Sequence, residues 1–300
     1  LVQPLIARFI LPWFGGGPAV WTTCMLFFQV LLLGGYAYAH FSISRLTPRR
    51  QVITHLCLLA LAVALLPITP GDQWKPTDGS NAAGHILLLL LACLGLPYLV
   101  LSATGPLLQA WFSKANPGVS PYRLYALSNI GSLLALLVYP FVLEPQLARQ
   151  AQANWWSIGL ALYAGLAGWC GYKVWKSAEA DTKAVVADDA EEAPSTSRKL
   201  LWFALPACGV MLLLAITNKI CQDIAVVPFL WVLPLSLYLL SFIISFDSPR
   251  WYHRAVWLPL LAALLGMVLY NLIQAESHPN ITPLATLYLG TMFVACMVCH

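Results

Sequence analysis

Cys296-Met297-Val298-Cys299-His300 at the end of the chain matches C-x-x-C-H, the attachment pattern for c-type haem. The run is continuous with an apolar stretch rather than a polar loop, and no obvious distal ligand follows. The alternative is a helix end that carries two small, polarizable cysteines. A second group is Thr217-Asn218-Lys219-Ile220-Cys221-Gln222-Asp223, in which Lys219 and Asp223 are four apart and can pair on one helix face. Arg8 beside Gln3 holds the corresponding place in the first apolar run, and Gln29 and Asn129 are polar positions inside later runs. A charge at mid-membrane costs about 3 kcal/mol on insertion scales, so such residues have a partner or a task. Arg8, Gln29, Asn129, Asn218, Lys219 and Asp223 are therefore the candidates for a polar cavity between two halves that binds a small charged solute. The competing reading is helix ends whose charges reach water. Ser128-Asn129-Ile130-Gly131-Ser132 also suits close helix packing with an interhelical hydrogen bond.

Other chemistries find no residues here. The remaining cysteines are scattered, which suggests neither a disulfide framework nor a metal site. His40, His55 and His253 are expected at helix ends, where an imidazole caps carbonyls and meets headgroups. Phe14-Gly15-Gly16-Gly17-Pro18 lacks a preceding strand and a following Gly-Lys-Ser/Thr, so it reads as a tight turn. No Ser/His/Asp set, paired-carboxylate site or dinucleotide fingerprint occurs, so no catalytic site and no cofactor is expected within these 300 residues.

The elements that position these residues are apolar helices. The chain is 60% hydrophobic and 9% charged, with a mean hydropathy of +0.74, the composition of a polytopic membrane protein. A helix needs about 20 apolar residues to cross a bilayer core, and in lipid it satisfies its own backbone hydrogen bonds. Ten runs are expected as spans: 1–13, 18–41, 51–68, 84–112, 122–143, 154–175, 200–218, 226–246, 254–274 and 283–300. The first is short and opens without Met, and the last stops at His300, so a longer parent is expected. The expected fold class is an all-α transmembrane bundle with a major-facilitator-like pseudo-repeat. Its parts are an N-terminal half over 1–175, a charged linker over 176–199 and an incomplete C-terminal half over 200–300.

Loop charges give the direction of the spans. Arg45, Arg49, Arg50, Lys114, Arg123, Lys173, Lys176, Lys183, Arg198, Lys199, Arg250 and Arg254 fall on one side if the spans alternate, and Arg8, Lys75, Arg149 and Lys219 near the other. That asymmetry predicts a cytoplasmic linker. No Lys/Arg cluster is dense enough for a nucleic-acid face. The linker carries half of the acidic residues and cannot bury a core, so disorder is expected there. Pro18-Ala19-Val20-Trp21 and Pro228-Phe229-Leu230-Trp231 open corresponding spans, and both spans run to similar turns, Thr47-Pro48-Arg49 and Ser248-Pro249-Arg250. This repetition supports parallel six-helix repeats.

Several segments together resemble bacterial membrane proteins fused to a spermidine-synthase-like domain. They are Val2-Gln3-Pro4-Leu5-Ile6, Leu11-Pro12-Trp13-Phe14-Gly15-Gly16, Pro18-Ala19-Val20-Trp21-Thr22-Thr23-Cys24, the run from Leu101 to Gln109, the run from Pro121 to Asn129, and the run from Asp223 to Trp231. The resemblance implies a major-facilitator bundle in a bacterial inner membrane, carrying a cytoplasmic Rossmann-type, aminopropyltransferase-like domain beyond His300. In relatives that domain would bind decarboxylated S-adenosylmethionine and a diamine. None of its motifs occurs here, so no catalytic residue is carried over. The function expected on this basis is a membrane domain handling a small cationic solute such as a polyamine. The alternative is a structural or accessory subunit that docks to other membrane subunits, with Gly131-Ser132 and Gly165 with Gly168 as contact faces. In either case the lipid bilayer is the surrounding partner.

Overall fold

The computed structural model describes residues 2–15, 17–76, 81–116, 118–119, 121–180, 195–223, 229–273 and 281–300. Every regular element among them is helical, so the protein is an all-α polytopic bundle. The helices are α1 (Val2–Phe14), α2 (Pro18–Arg45), α3 (Pro48–Ala64), α4 (Ala82–Leu90), α5 (Leu96–Ala115), α6 (Tyr122–Val138), α7 (Glu144–Gln146), α8 (Arg149–Ala180), α9 (Thr196–Asp223), α10 (Phe229–Asp247), α11 (Arg254–Ile273) and α12 (Ile281–Cys299). Their bounds follow the ten expected runs, with α4 joined to α5 and α6 to α7. Helices also enter both ends of the expected linker, to Ala180 and from Thr196; its residues 181–194 lie outside those described.

Among the described residues, five stretches are long and apolar enough to span a bilayer unaided: Ala19–Arg45, Ala82–Ala115, Tyr122–Gln146, Thr196–Ile220 and Arg254–Ile273. Three shorter apolar helices accompany them, Val2–Phe14, Val232–Asp247 and Pro283–Cys299. Helix α8 has the length, but its Trp, Tyr and Gly residues dilute its hydropathy.

Both joins are π-helical turns, Leu91–Gly95 and Tyr139–Leu143. Each has a proline that explains it. Pro97 cannot donate to the Cys93 carbonyl, nor Pro140 to that of Leu136, and a proline ring crowds the turn before it. The helix widens by a residue instead of breaking, a distortion that often marks functional sites.

The chain divides into two compact units. Unit 1 comprises Leu1–Pro121 and Tyr139–Ala187; unit 2 comprises Tyr122–Val138 and Asp188–His300. In unit 1, α2 packs along α5 and α3 along α8. The α2–α5 approach depends on Gly35, where a Cβ would fall 2.5 Å from Ser102 Cβ and 2.9 Å from the Leu99 carbonyl oxygen. Backbones come this close only over small residues, and in lipid such van der Waals packing replaces the hydrophobic drive. Gly15 closes α1 at φ +82°, with its amide on the Leu11 carbonyl at 2.9 Å. The expected tight turn is thus entered through a left-handed glycine.

In unit 2, α10 packs on α6 and α12, and α12 also packs on α9 and α11. Tyr125 meets Phe246 edge-on at 4.9 Å between ring centroids, joining α6 to α10. The similar turns of the two units fold differently. Pro48 is the first residue of α3, whereas Pro249–Trp251 forms a separate 3-10 turn before α11. The glycines anticipated as faces toward other subunits are open within the chain. A Cβ on Gly131 or Gly165 would meet nothing within 4 Å, and one on Gly168 would meet only Leu56 Cδ2 at 3.8 Å.

Candidate functional site

The polar residues expected to line a cavity between two halves come from both units. Arg8 and Gln29 belong to unit 1, and Asn129, Asn218, Lys219 and Asp223 to unit 2. Gln29 and Asn218 are exposed, Lys219 is half-buried, and the Asp223 side chain lies outside those described. Asn129 donates through Nδ2 to the Tyr125 carbonyl of its own helix at 2.9 Å, so the expected interhelical bond is replaced by an intrahelical one. A short amide one turn from a carbonyl finds that acceptor first.

Arg8 does mark a site. Its Nε lies 4.0 Å from Glu144 Oε1, and its carbonyl accepts from Arg149 Nη1 at 3.2 Å. The Arg149 guanidinium in turn stands 4.4 Å from the Phe9 ring centroid. These contacts tie α1 to α7 and to the start of α8. The Arg8 guanidinium stands near the Tyr139 phenol, and Arg8 Nη1 and Tyr139 Oη are both buried without a hydrogen bond of good geometry.

Beside this cluster lies an apolar cavity of about 530 Å³ inside unit 1. Leucines from α1, α5 and α8 line it, with Tyr139 from the π-turn and Trp155, Trp156 and Tyr163 from α8. It opens where Trp155, 63% exposed, and Gly159 face outward. Its one polar amide is Gln152, the fourth residue of α8. Gln152 Nε2 donates to the Leu147 carbonyl at 2.8 Å and to the Leu143 carbonyl at 3.3 Å, which caps the distorted end of the preceding helix. Its Oε1 and the Tyr139 hydroxyl are buried with no hydrogen-bond partner. The two residues are 5% and 6% exposed, so bulk water does not satisfy them. The cavity is thus apolar, and an amide oxygen and a phenol hydroxyl are buried without partners in two of the residues that line it.

A second buried polar group lies elsewhere in unit 1. Gln51 Nε2 donates to the Leu46 carbonyl at 2.8 Å, and Gln51 Oε1 accepts from Trp111 Nε1 at 3.0 Å. His55 packs edge-on to Trp111 and parallel to Tyr38, with centroids 6.0 and 6.1 Å away. At 2% exposure His55 is not the surface imidazole expected. It lies two turns into α3, on the face turned to α2 and α5.

The C-x-x-C-H residues are packing residues of unit 2. Cys296 is buried, and the His300 ring stacks on Phe242 with centroids 3.7 Å apart. Haem thioether chemistry at Cys296 would require α12 to leave α9, where a Cβ on Gly209 would lie 4.0 Å from Cys296 Sγ. Among the described residues no three His, Cys, Asp or Glu side chains are grouped to hold a metal.

Tyr139 and Gln152 were missed in the sequence. Pro140 inside an apolar run is the signal that points to the π-turn. Gln152 sits in Gln150-Ala151-Gln152-Ala153-Asn154, where neither glutamine is distinguished from the other. Comparison with known proteins by family model, curated sequence and solved structure gives no match.

Proposed function

We propose that this chain is the membrane-embedded part of a multi-pass protein that binds a predominantly apolar, amphipathic molecule with a neutral hydroxyl or carbonyl head in the unit 1 cavity. The observation that carries this reading is the pair of buried, unpartnered polar atoms, Tyr139 Oη and Gln152 Oε1, in an otherwise apolar lining. A polyamine fits the described side chains less well. Each described carboxylate already has a cation within reach: Asp72 has Lys75 at 2.7 Å, Glu144 has Arg8 at 4.0 Å and Asp247 has Arg123 at 4.0 Å. A dication would have to displace one of them.

Membership in the spermidine-synthase-fused family, an inner-membrane location and a cytoplasmic 176–199 segment are part of the same proposal. They are supported by the segments quoted above and by the loop charges. The accessory-subunit alternative is supported by α11, which packs on α12 but has no buried residue and leaves apolar side chains such as Val256, Leu265, Leu269 and Ile273 exposed.

The test uses the protein in nanodiscs, with a brominated monoacylglycerol as probe and tryptophan fluorescence as readout. Saturable quenching is expected, reduced by Trp155→Phe, lost with Trp155→Phe and Trp156→Phe together, and weakened by Gln152→Leu with Tyr139→Phe. Quenching that rises linearly with probe, as for any lipid-exposed tryptophan, overturns the reading. Radiolabelled spermidine in the same discs tests the cationic alternative, for which saturable binding is the requirement.

A further inference from the structure

Unit 2 has its own cleft, of a different character, at the end of α10 and the start of α6. It encloses about 610 Å³ and is lined by Arg123, Asp247, Ser248, Arg250 and Trp251. We propose that this cleft binds a phosphate group, supplied by an anionic glycerophospholipid at the membrane surface.

Three observations lead there. The first is charge. Two guanidiniums face one carboxylate, and Asp247 is already engaged, 4.0 Å from Arg123 Nη2 and accepting from Trp251 Nε1 at 3.3 Å. Arg250 has no ion pair among the described residues. Guanidinium is the side chain whose donors match phosphate oxygens in pairs. Arg123 is the second residue of α6, so the free amides of that 17-residue helix point toward the same end and add positive potential.

The second is rigidity. The Trp251 carbonyl accepts from Trp257 Nε1 at 2.9 Å, the Trp251 amide donates to the Ser248 carbonyl at 3.2 Å, and the Arg250 amide donates to Ser248 Oγ at 3.4 Å. The 3-10 turn that presents Arg250 is therefore pinned at both ends, and Tyr125 against Phe246 fixes the α6 side of the cleft. With its acceptor side occupied, the Ser248 hydroxyl has its proton free to donate to an anion.

The third is depth. Tyr122, Trp251 and Tyr252 are exposed at this edge, where amphipathic rings take the headgroup level of a bilayer. The arginines thus stand at the height of lipid phosphates. In the corresponding turn of unit 1 the Arg49 guanidinium instead lies over the Trp175 ring, 5.5 Å from its centroid.

The experiment is native mass spectrometry of the detergent-solubilised full chain titrated with phosphatidylglycerol, with phosphatidylcholine and with inorganic phosphate. One phosphatidylglycerol is expected to be retained in preference to phosphatidylcholine. Arg250→Gln, which breaks no ion pair among the described residues, should weaken it about five-fold, the effect of one basic residue at an anionic surface. Arg123→Gln with Arg250→Gln should abolish the preference. Circular dichroism of each variant reports whether the helices persist, and Arg254→Gln, outside the cleft lining, should leave the preference intact. Displacement of the lipid by millimolar inorganic phosphate would assign the cleft to a soluble phosphate. Equal retention of both lipids, or a preference that survives the double substitution, overturns the proposal.

Discussion

Gln51 and Gln152 stand at the same local position in two regions of unit 1. Each is the fourth residue of its helix, and each reaches back five residues to donate to the carbonyl of the residue that caps the helix before it, Leu46 in one case and Leu147 in the other. Each is at most 5% exposed. The difference is at Oε1. In the first region α5 brings Trp111 Nε1 to 3.0 Å and the amide becomes a clamp among three helices. In the second no donor reaches Oε1, which is buried without a partner in a residue that lines the cavity. One local device therefore serves as structure or as a binding group, depending on which side chain the third helix offers.

The largest break in this comparison is at the contact that places α5. Gly35→Val drives a branched side chain into Ser102 and the Leu99 carbonyl, and should destabilise unit 1 by about 3 kcal/mol. Thermal unfolding in detergent measures it. Because the Trp111–Gln51 bond depends on the same approach, Gly35→Val with Gln51→Leu should cost less than the sum of the single changes.

Gln51→Leu alone comes next. It leaves Trp111 Nε1 buried without an acceptor and uncaps Leu46, and should cost about 2 kcal/mol in the same unfolding measurement. Gln152→Leu makes the contrast. It also uncaps a helix end, but it removes an acceptor that had no donor, so stability should change by less than about 1 kcal/mol. Its effect should instead appear as loss of saturable probe quenching. If Gln152→Leu destabilises as much as Gln51→Leu, the two amides do the same work and the functional contrast between the regions fails.

The smallest effect lies outside both regions, on the loop between α3 and α4. Lys75 holds the Asp72 carboxyl below the usual carboxylate range, first through a hydrogen bond and then through its charge. A carboxyl with a depressed folded pKa contributes stability that is present above its unfolded pKa and is lost as pH falls through the folded one. Asp72 is fully exposed, so the contribution is screened. NMR titration of the Asp72 carboxyl should show the depression, and Lys75→Ala should remove it without altering the Gln51 or Gln152 regions.

The sequence by itself determined the all-α class and the positions of the helices, because a 20-residue apolar run has one economical backbone solution in lipid. It also picked out Arg8, since a basic residue in an apolar run requires a partner, and Glu144 is that partner. Gln152 and Tyr139 were illegible for the opposite reason. A neutral amide and a phenol carry little cost in a span, so their types announce nothing. Only the tertiary structure decided that Gln51 meets a tryptophan while Gln152 meets a void, and that His55 turns inward. It also decided that Cys296 and His300, the strongest motif in the text of the chain, are filling between helices. Motif spacing constrains neighbours along one helix, whereas chemistry needs atoms from several helices within hydrogen-bond distance. That distance is set by packing details such as a glycine at position 35 and a proline at position 140.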